Sequence, residues 1–95
     1  MKVLANDGIS QSGIDALEKD GFEVSTTTVA QEQLINYINE NNINVLLVRS
    51  ATKVRKDLID ACASLKIIGR GGVGMDNIDV DYAKSKGLYV VNTPA

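Results

Sequence analysis

The stretch of sequence that decides the fold is Lys66-Ile67-Ile68-Gly69-Arg70-Gly71-Gly72-Val73-Gly74-Met75-Asp76-Asn77. It begins with an apolar segment typical of a strand, continues through three glycines within four residues, and ends in a polar segment that predicts a helix start. Glycine lets a ligand approach the main chain, and successive N–H groups in such a turn form a concavity that holds an anion. Arg70 adds a planar set of donors suited to carboxylate or phosphate. The stretch therefore predicts a strand-to-helix turn that binds a small acidic molecule.

The same stretch also matches a second motif. Gly69-Arg70-Gly71-Gly72-Val73-Gly74 fits G-x-G-x-x-G, the dinucleotide-binding fingerprint, which needs an acidic residue about 20 positions further on to bind the ribose. The next predicted strand, 88–91, ends in Asn92-Thr93, so that acid is missing. NAD binding at this turn is therefore disfavoured, and a tight turn that binds no ligand remains the other alternative.

Outward from this stretch, the rest of the chain alternates between strand and helix patterns. Val45-Leu46-Leu47-Val48 is a continuous apolar run, as expected for a strand buried on both faces of a parallel sheet. Further strands are predicted at 2–5, 22–24, 67–68 and 88–91, and helices start at Ser10, at a capping box Thr28–Gln31, at Lys56 and at Asp79. This alternation predicts an α/β fold: a flavodoxin-like, doubly wound, five-stranded parallel sheet of order 2-1-3-4-5 with helices on both faces.

Composition narrows the possible functions. Ninety-five residues fit one domain, and a net charge of −2 argues against general binding to nucleic acid or to a membrane surface. The chain has no histidine, so histidine-dependent catalysis and histidine zinc sites are excluded within it. The single cysteine, Cys62, suits a buried position and a reducing compartment. Because Met1-Lys2 leads directly into a short strand, no secretory signal is expected, and we expect a cytoplasmic protein.

Polar residues follow the predicted strands at the edge where parallel sheets bind ligands. Arg49-Ser50 follows the third strand and Arg70 ends the fourth, and these two strands are neighbours in the predicted order. Arg49 and Arg70 should flank one spot, with the hydroxyl groups of Ser50 and Thr52 and the N–H groups of 71–74 around it. Such a set suits a small molecule that carries both carboxylate and phosphate.

Two other functions of this fold fit poorly. A phospho-receiver domain needs an acidic pair after the first strand and an aspartate after the third, where this chain has Asp7 alone and Arg49. A flavin carrier needs a phosphate-binding loop after the first strand and aromatic residues around the ring, and this chain has no tryptophan. No metal-ligand spacing occurs.

Three segments together resemble the D-isomer-specific 2-hydroxyacid dehydrogenases: 48–54 (VRSATKV), 69–79 (GRGGVGMDNID) and 91–94 (VNTP). The resemblance covers essentially all 95 residues and is greatest to the branch that oxidises 3-phosphoglycerate, at the first step of serine synthesis. It implies that residues 1–95 form a substrate-binding domain, and that NAD is bound mainly by a separate Rossmann domain. It also implies a phosphorylated 2-hydroxy acid as ligand and a homo-oligomeric parent protein.

The resemblance further implies roles for individual residues. Val73 and Gly74 would offer N–H groups to the substrate carboxylate, whereas Asp76 and Asn77 would hold the loop. The residues implied for the phosphate end are Arg49, Ser50, Thr52 and Arg70. The family's catalytic histidine, catalytic arginine and NAD fingerprint have no counterparts in 1–95, so we expect this stretch to be inactive alone and to expose an apolar patch. A stand-alone module that binds a phosphorylated acid, another dehydrogenase of the family, and a receiver-like interaction domain remain alternatives.

Overall fold

Strands and helices alternate along the chain in the computed structural model, which describes residues 1–49, 51–71 and 77–93. The strands are β1 (Lys2–Ala5), β2 (Glu23–Ser25), β3 (Val45–Val48), β4 (Ile67–Gly71) and β5 (Tyr89–Thr93). The helices are α1 (Gln11–Lys19), α2 (Leu34–Asn41), α3 (Lys56–Ala61) and α4 (Val80–Ser85), with a 3-10 turn at Gln31–Gln33 before α2. All strand pairs are parallel and their order is β2-β1-β3-β4-β5, which confirms the predicted flavodoxin-like sheet.

The main core lies between one face of the sheet and the helices α2, α3 and α4. Leu4, Leu46 and Ile68 occupy one row across β1, β3 and β4, since successive pairs of them are register partners. They pack in a single buried cluster with side chains from the three helices, among them Leu34, Ile38, Leu58, Ile59 and Ala83. The apolar runs and helix stripes of the sequence therefore supply the core that holds the carboxyl edge of the sheet in place.

β4 is longer than the sequence predicts. The expected turn begins at Gly69, but the strand continues through Gly69, Arg70 and Gly71, because β3 and β5 pair with it on both sides. Gly69 is buried there, and a Cβ atom on it would lie 2.7 Å from Cδ2 of Leu47. Close packing between neighbouring strands thus explains this glycine.

The helix starts agree with the prediction only in part. The hydroxyl of Ser10 accepts the N–H of Gly13 and caps α1, as predicted. The capping box Thr28–Gln31 is wrong, because the 3-10 turn starts after Ala30 without a side-chain cap. The Gln31 amide instead bonds both main-chain groups of Lys53, at 2.9 Å each.

α4 starts after Asp79 as predicted, but Asp79 does not cap it. Its carboxylate accepts a hydrogen bond from Nη1 of Arg55 at 3.2 Å and so ties α4 to the start of α3. Helix starts in this chain are therefore set by tertiary contacts as much as by local capping.

Candidate functional site

The carboxyl ends of β1, β3 and β4 meet at one edge of the sheet. Asn6 and Asp7 follow β1, and Arg49 follows β3. Arg70 lies near the carboxyl end of β4, where its register partner on β3 is Val48. The predicted juxtaposition of Arg49 and Arg70 along the main chain is therefore present. Asp7 also belongs to this edge.

Asp7 binds the segment that follows β3. Its Oδ2 atom accepts the main-chain N–H of Arg49 at 2.7 Å and that of Thr52 at 3.0 Å. Its Oδ1 atom accepts the hydroxyl hydrogen of Thr52 at 2.7 Å. Both carboxylate oxygens are thus used inside the protein.

Asn77 binds the same two residues through their carbonyl groups. Its Nδ2 donates to the carbonyl oxygens of Arg49 and Thr52, both at 2.6 Å. Its Oδ1 accepts the Nε–H of Arg70 at 2.9 Å. Asn77 therefore joins the segment after β3 to the guanidinium group of β4, whereas the loop at 72–76 that it and Asp76 are predicted to hold lies outside the described residues.

Asn6 completes the network on the other side. Its Nδ2 donates to the hydroxyl of Thr52 at 2.9 Å and to the carbonyl of Val29 at 3.0 Å, and its Oδ1 accepts the N–H of Val29 at 2.7 Å. We call Asn6, Asp7, Thr52 and Asn77 the polar clamp. Three of its members, Asn6, Thr52 and Asn77, are the buried polar residues of the described ranges, at 3%, 3% and 6% exposure.

Thr52 has a different position from the one predicted. Because its hydroxyl donates to Asp7 and accepts from Asn6, its only hydrogen is used within the polar clamp. A hydroxyl in this arrangement cannot donate to a phosphate. Thr52 therefore supports the site rather than presenting a donor to a ligand.

The two arginines approach the edge from different sides. Arg70 lies in the row of Val48, whereas Cγ of Arg49 lies 3.8 Å from the place of a Cβ atom on Gly71, the next residue of β4. Successive residues of a strand point to opposite faces, so the side chains start on opposite faces of the sheet. The prediction that Arg49 and Arg70 flank one spot is corrected accordingly: their side chains start on opposite faces of the sheet, with the end of β4 between them.

Arg49 and Arg70 also differ in how they are held. Arg49 is exposed, and its main-chain N–H rather than its guanidinium binds Asp7. Arg70 is half-buried, with Nε on Asn77 and Nη1 on the carbonyl of Gly71 at 3.1 Å. The sheet edge thus presents one oriented guanidinium and one more exposed guanidinium.

Ser50, Val73 and Gly74, which are also predicted site residues, lie outside the described residues. The sequence prediction placed Asp7 after the first strand but assigned neither Asp7 nor its neighbour Asn6 a role at this edge. Their position directly after a buried strand, beside the predicted ligand edge, was the signal that could have identified them.

The first two glycines of the dinucleotide motif, Gly69 and Gly71, lie in a strand. A dinucleotide fingerprint needs its first glycines in the turn between strand and helix. Here Gly69 and Gly71 lie within β4, paired with β3 or β5 on either side, and Gly69 packs against Leu47. The residues present therefore do not fit a bound pyrophosphate at Gly69–Gly71.

We also searched the described part of the chain for a metal site, a reactive thiol and a membrane-spanning helix. No group of three or more potential metal ligands occurs there. Cys62 is buried, and desolvation raises the pKa of its thiol to about 11, which suits a structural residue rather than a nucleophile. Within the same ranges, no helix has the length and apolar character needed to cross a bilayer.

Comparison with known proteins identifies relatives over nearly the whole chain. The D-3-phosphoglycerate dehydrogenase of Archaeoglobus fulgidus is 45% identical over 95 residues, which cover 99% of this chain and 18% of that relative. The hydroxypyruvate reductase of Thermotoga maritima is 45% identical over 94 residues, which cover 98% of this chain and 30% of that relative. The chain therefore spans less than a third of the length of either relative.

Solved structures show the same relationship. The NAD⁺-bound 3-phosphoglycerate dehydrogenase of Entamoeba histolytica matches with a TM-score of 0.81 and 30% identity, over 99% of this chain and 33% of that chain.

The family model described as D-isomer specific 2-hydroxyacid dehydrogenase, catalytic domain, matches residues 3–95. The chain therefore belongs to the D-isomer-specific 2-hydroxyacid dehydrogenase family.

Proposed function

We propose that this chain is the substrate-binding part of an NAD-dependent D-3-phosphoglycerate dehydrogenase. The whole protein would oxidise 3-phosphoglycerate to 3-phosphohydroxypyruvate, at the first step of L-serine biosynthesis. The observation that carries the proposal is the pair of arginines, Arg49 and Arg70, on either side of one strand end in a chain of this family. Guanidinium groups suit both the carboxylate and the phosphate of such a substrate.

The remaining parts of the proposal follow from the family. NAD would be bound mainly by sequence outside these 95 residues, since Gly69–Gly71 are strand residues. Ser50 would contribute to the phosphate end, and the N–H groups of Val73 and Gly74 would bind the carboxylate. The ligand would be a small phosphorylated 2-hydroxy acid. The whole protein would be a cytoplasmic homo-oligomer that binds neither nucleic acid nor membrane.

A second candidate is supported by one of the comparisons. The hydroxypyruvate reductase of Thermotoga maritima matches this chain at 45% identity, the same figure as the phosphoglycerate dehydrogenase of Archaeoglobus fulgidus. A substrate without phosphate would lack the group proposed for the two arginines, since its carboxylate would be bound by the N–H groups of Val73 and Gly74. The two candidates therefore differ in whether both arginines contribute to affinity.

A titration followed by amide chemical shifts tests the proposal. We expect 3-phosphoglycerate to shift amide signals in 49–52 and 70–77, with hydroxypyruvate, inorganic phosphate and NADH as comparison ligands. Shifts in those segments with hydroxypyruvate alone would favour the second candidate. Shifts centred on Gly69–Gly71 with NADH would contradict the assignment of NAD to other sequence.

Variants of the three arginines provide the matched test. We expect Arg49→Gln and Arg70→Gln each to weaken 3-phosphoglycerate binding by about tenfold or more, the usual effect of losing a charged hydrogen bond. Arg55→Gln is the control, because Arg55 pairs with Asp79 between α3 and α4. Equal affinity of all three variants would contradict an anion site at this edge.

An activity assay tests the expectation that residues 1–95 are inactive alone. The purified chain is mixed with NAD and 3-phosphoglycerate, and formation of NADH is followed by absorbance. We expect no turnover above the buffer rate. Sustained turnover that scales with protein concentration would show that the catalytic groups lie within this chain.

A further inference from the structure

The buried polar side chains of the described ranges are gathered at one place in the fold. Asn6, Thr52 and Asn77 all lie at the carboxyl edge, in one hydrogen-bonded network with Asp7. Burial of an amide lowers the stability of the fold unless its hydrogen bonds are made, and apolar side chains of similar shape can stabilise a fold equally well. In the described residues, no buried side-chain polar atom lacks a partner. Such a fully satisfied network fixes one geometry of the groups around it.

Two members of the polar clamp bind different main-chain groups of the same two residues. Asp7 accepts the N–H groups of Arg49 and Thr52, whereas Asn77 donates to the carbonyl groups of the same two residues. All four main-chain polar groups of Arg49 and Thr52 are therefore bound by these side chains. The segment that joins Arg49 to Thr52 is anchored at both ends.

The same contacts fix the orientation of Asn77. Because both hydrogens of its Nδ2 are used by carbonyl groups, its Oδ1 has to face the other way, toward Nε of Arg70. The Arg70 guanidinium is therefore aligned by a group that is itself locked to the segment after β3. One side chain thereby couples the two arginine-bearing strands.

We propose that Asp7 and Asn77 are positioning residues of the anion site, an inference that rests on the function proposed above. They hold the main chain of Arg49 and Thr52 and orient the Arg70 guanidinium, and they do not bind the ligand. Asp7 acts through geometry rather than through its charge, since both of its oxygens are bound by groups of the segment.

Asn77→Ala is the first test, with Asn44→Ala as the matched control. Asn44 also bridges main-chain groups, the N–H of Lys2 and the carbonyl of Ser64, but at the opposite edge of the sheet. We expect Asn77→Ala to speed hydrogen exchange at Nε of Arg70 by about tenfold or more and to weaken 3-phosphoglycerate binding by about tenfold. We expect Asn44→Ala to change neither. Wild-type exchange at Arg70 in Asn77→Ala, or equal loss of affinity in the control, would overturn the proposal.

The Asp7 variants separate geometry from charge. In Asp7→Asn the amide oxygen can still accept both main-chain N–H groups, because in the wild type both bonds end on the same oxygen, whereas the amide nitrogen would donate to the Thr52 hydroxyl instead of accepting its hydrogen. We expect Asp7→Asn to keep 3-phosphoglycerate affinity within about threefold of wild type, and Asp7→Ala to lose about tenfold, with faster exchange of the Arg49 and Thr52 amides. Wild-type behaviour of Asp7→Ala in both measurements would overturn the role of Asp7.

The two proposals can fail separately. If the wild-type chain binds no 3-phosphoglycerate, the proposed function fails for this chain, while exchange at the Arg70 Nε and at the Arg49 and Thr52 amides still decides whether Asp7 and Asn77 hold these groups in place. If Asn77→Ala does not fold, the Asp7 pair decides it: faster amide exchange in Asp7→Ala than in Asp7→Asn supports the proposal, and equal exchange overturns it.

Discussion

Gly69 shows how a single residue can match a binding motif and yet serve packing. It lies inside β4, between Leu47 on β3 and Val91 on β5. A Cβ atom there would be 2.7 Å from Cδ2 of Leu47 and 3.5 Å from Cγ2 of Val91. The sequence alone could not separate this packing requirement from a ligand requirement, because both need a glycine.

The packing role predicts the cost of a methyl group at Gly69. We expect Gly69→Ala to lower the free energy of unfolding by roughly 1 kcal/mol relative to Gly71→Ala, measured by urea denaturation. Gly71 is the control because its nearest neighbour to a Cβ atom, Cγ of Arg49, lies at 3.8 Å, an ordinary contact. Shortening Leu47 to alanine should remove most of the difference. Equal stability of the two glycine variants would show that Leu47 moves aside without cost.

Cys62 gives the chain a predicted loss of stability at high pH. Desolvation raises the pKa of its thiol from 9.0 to about 11, so the unfolded chain releases the proton at lower pH than the folded chain. The contribution of this thiol is therefore fully present below about pH 9, and its loss lowers the free energy of unfolding by up to about 3 kcal/mol as the pH rises to 11. Thermal or urea unfolding across this range measures it.

Cys62→Ala is the control for that pH dependence. The variant loses some core packing at every pH, but it lacks the thiol and so lacks this part of the slope. The difference in unfolding free energy between wild type and variant should therefore shrink as the pH rises. A constant difference from pH 8 to pH 11 would contradict the assignment.

At the scale of elements, some helices start with a local side-chain cap, and others are held at their start by tertiary contacts. α1 starts with a side-chain cap from Ser10, whereas α2 follows a 3-10 turn that has none. Gln31, which lies in that turn, forms hydrogen bonds with the main chain of Lys53, 22 residues away in sequence. A sequence pattern identifies a residue that can cap, but the neighbouring segment decides which partner it takes.

Two hydroxyl deletions test this division. We expect Ser10→Ala to lower the free energy of unfolding by about 1 kcal/mol, the typical value of a lost N-cap. Thr28→Ala should stay within about 0.5 kcal/mol of wild type, because the turn that follows starts after Ala30 without a side-chain cap. Chemical denaturation of both variants measures the difference. A larger loss in Thr28→Ala would restore the capping box.

At the scale of the whole molecule, the two faces of the sheet are covered unequally. The row that contains Leu4, Leu46 and Ile68 is buried under three helices. On β5, Tyr89 and Val91 belong to the other row and are 73% and 44% exposed. Neighbouring exposed apolar side chains of this kind favour association, in line with the expected apolar patch.

This exposed row predicts self-association at high concentration. We expect the double variant Tyr89→Thr, Val91→Thr to bind less of a hydrophobic dye and to sediment as a smaller species than wild type. Threonine keeps the β-branched shape suited to a strand, so the stability should stay within about 1 kcal/mol. A wild-type chain that binds no dye and sediments as a monomer at every concentration would contradict the prediction.

The sequence by itself determined the sheet order, the family and the edge at which the arginines lie. Those features depend on patterns that run along the chain: apolar runs, alternating segments and polar residues at strand ends. β4 was predicted too short because its glycines resemble a turn, and only pairing with β3 and β5 extends it.

Only the tertiary structure decided the roles of the polar residues at that edge. Asp7 lies 45 residues from Thr52 along the chain, and Asn77 lies 28 residues from Arg49. A hydrogen bond needs direction and a distance near 3 Å, which no local pattern encodes. The fold brings these groups together, and their geometry turns Thr52 inward and orients Arg70 along the end of β4.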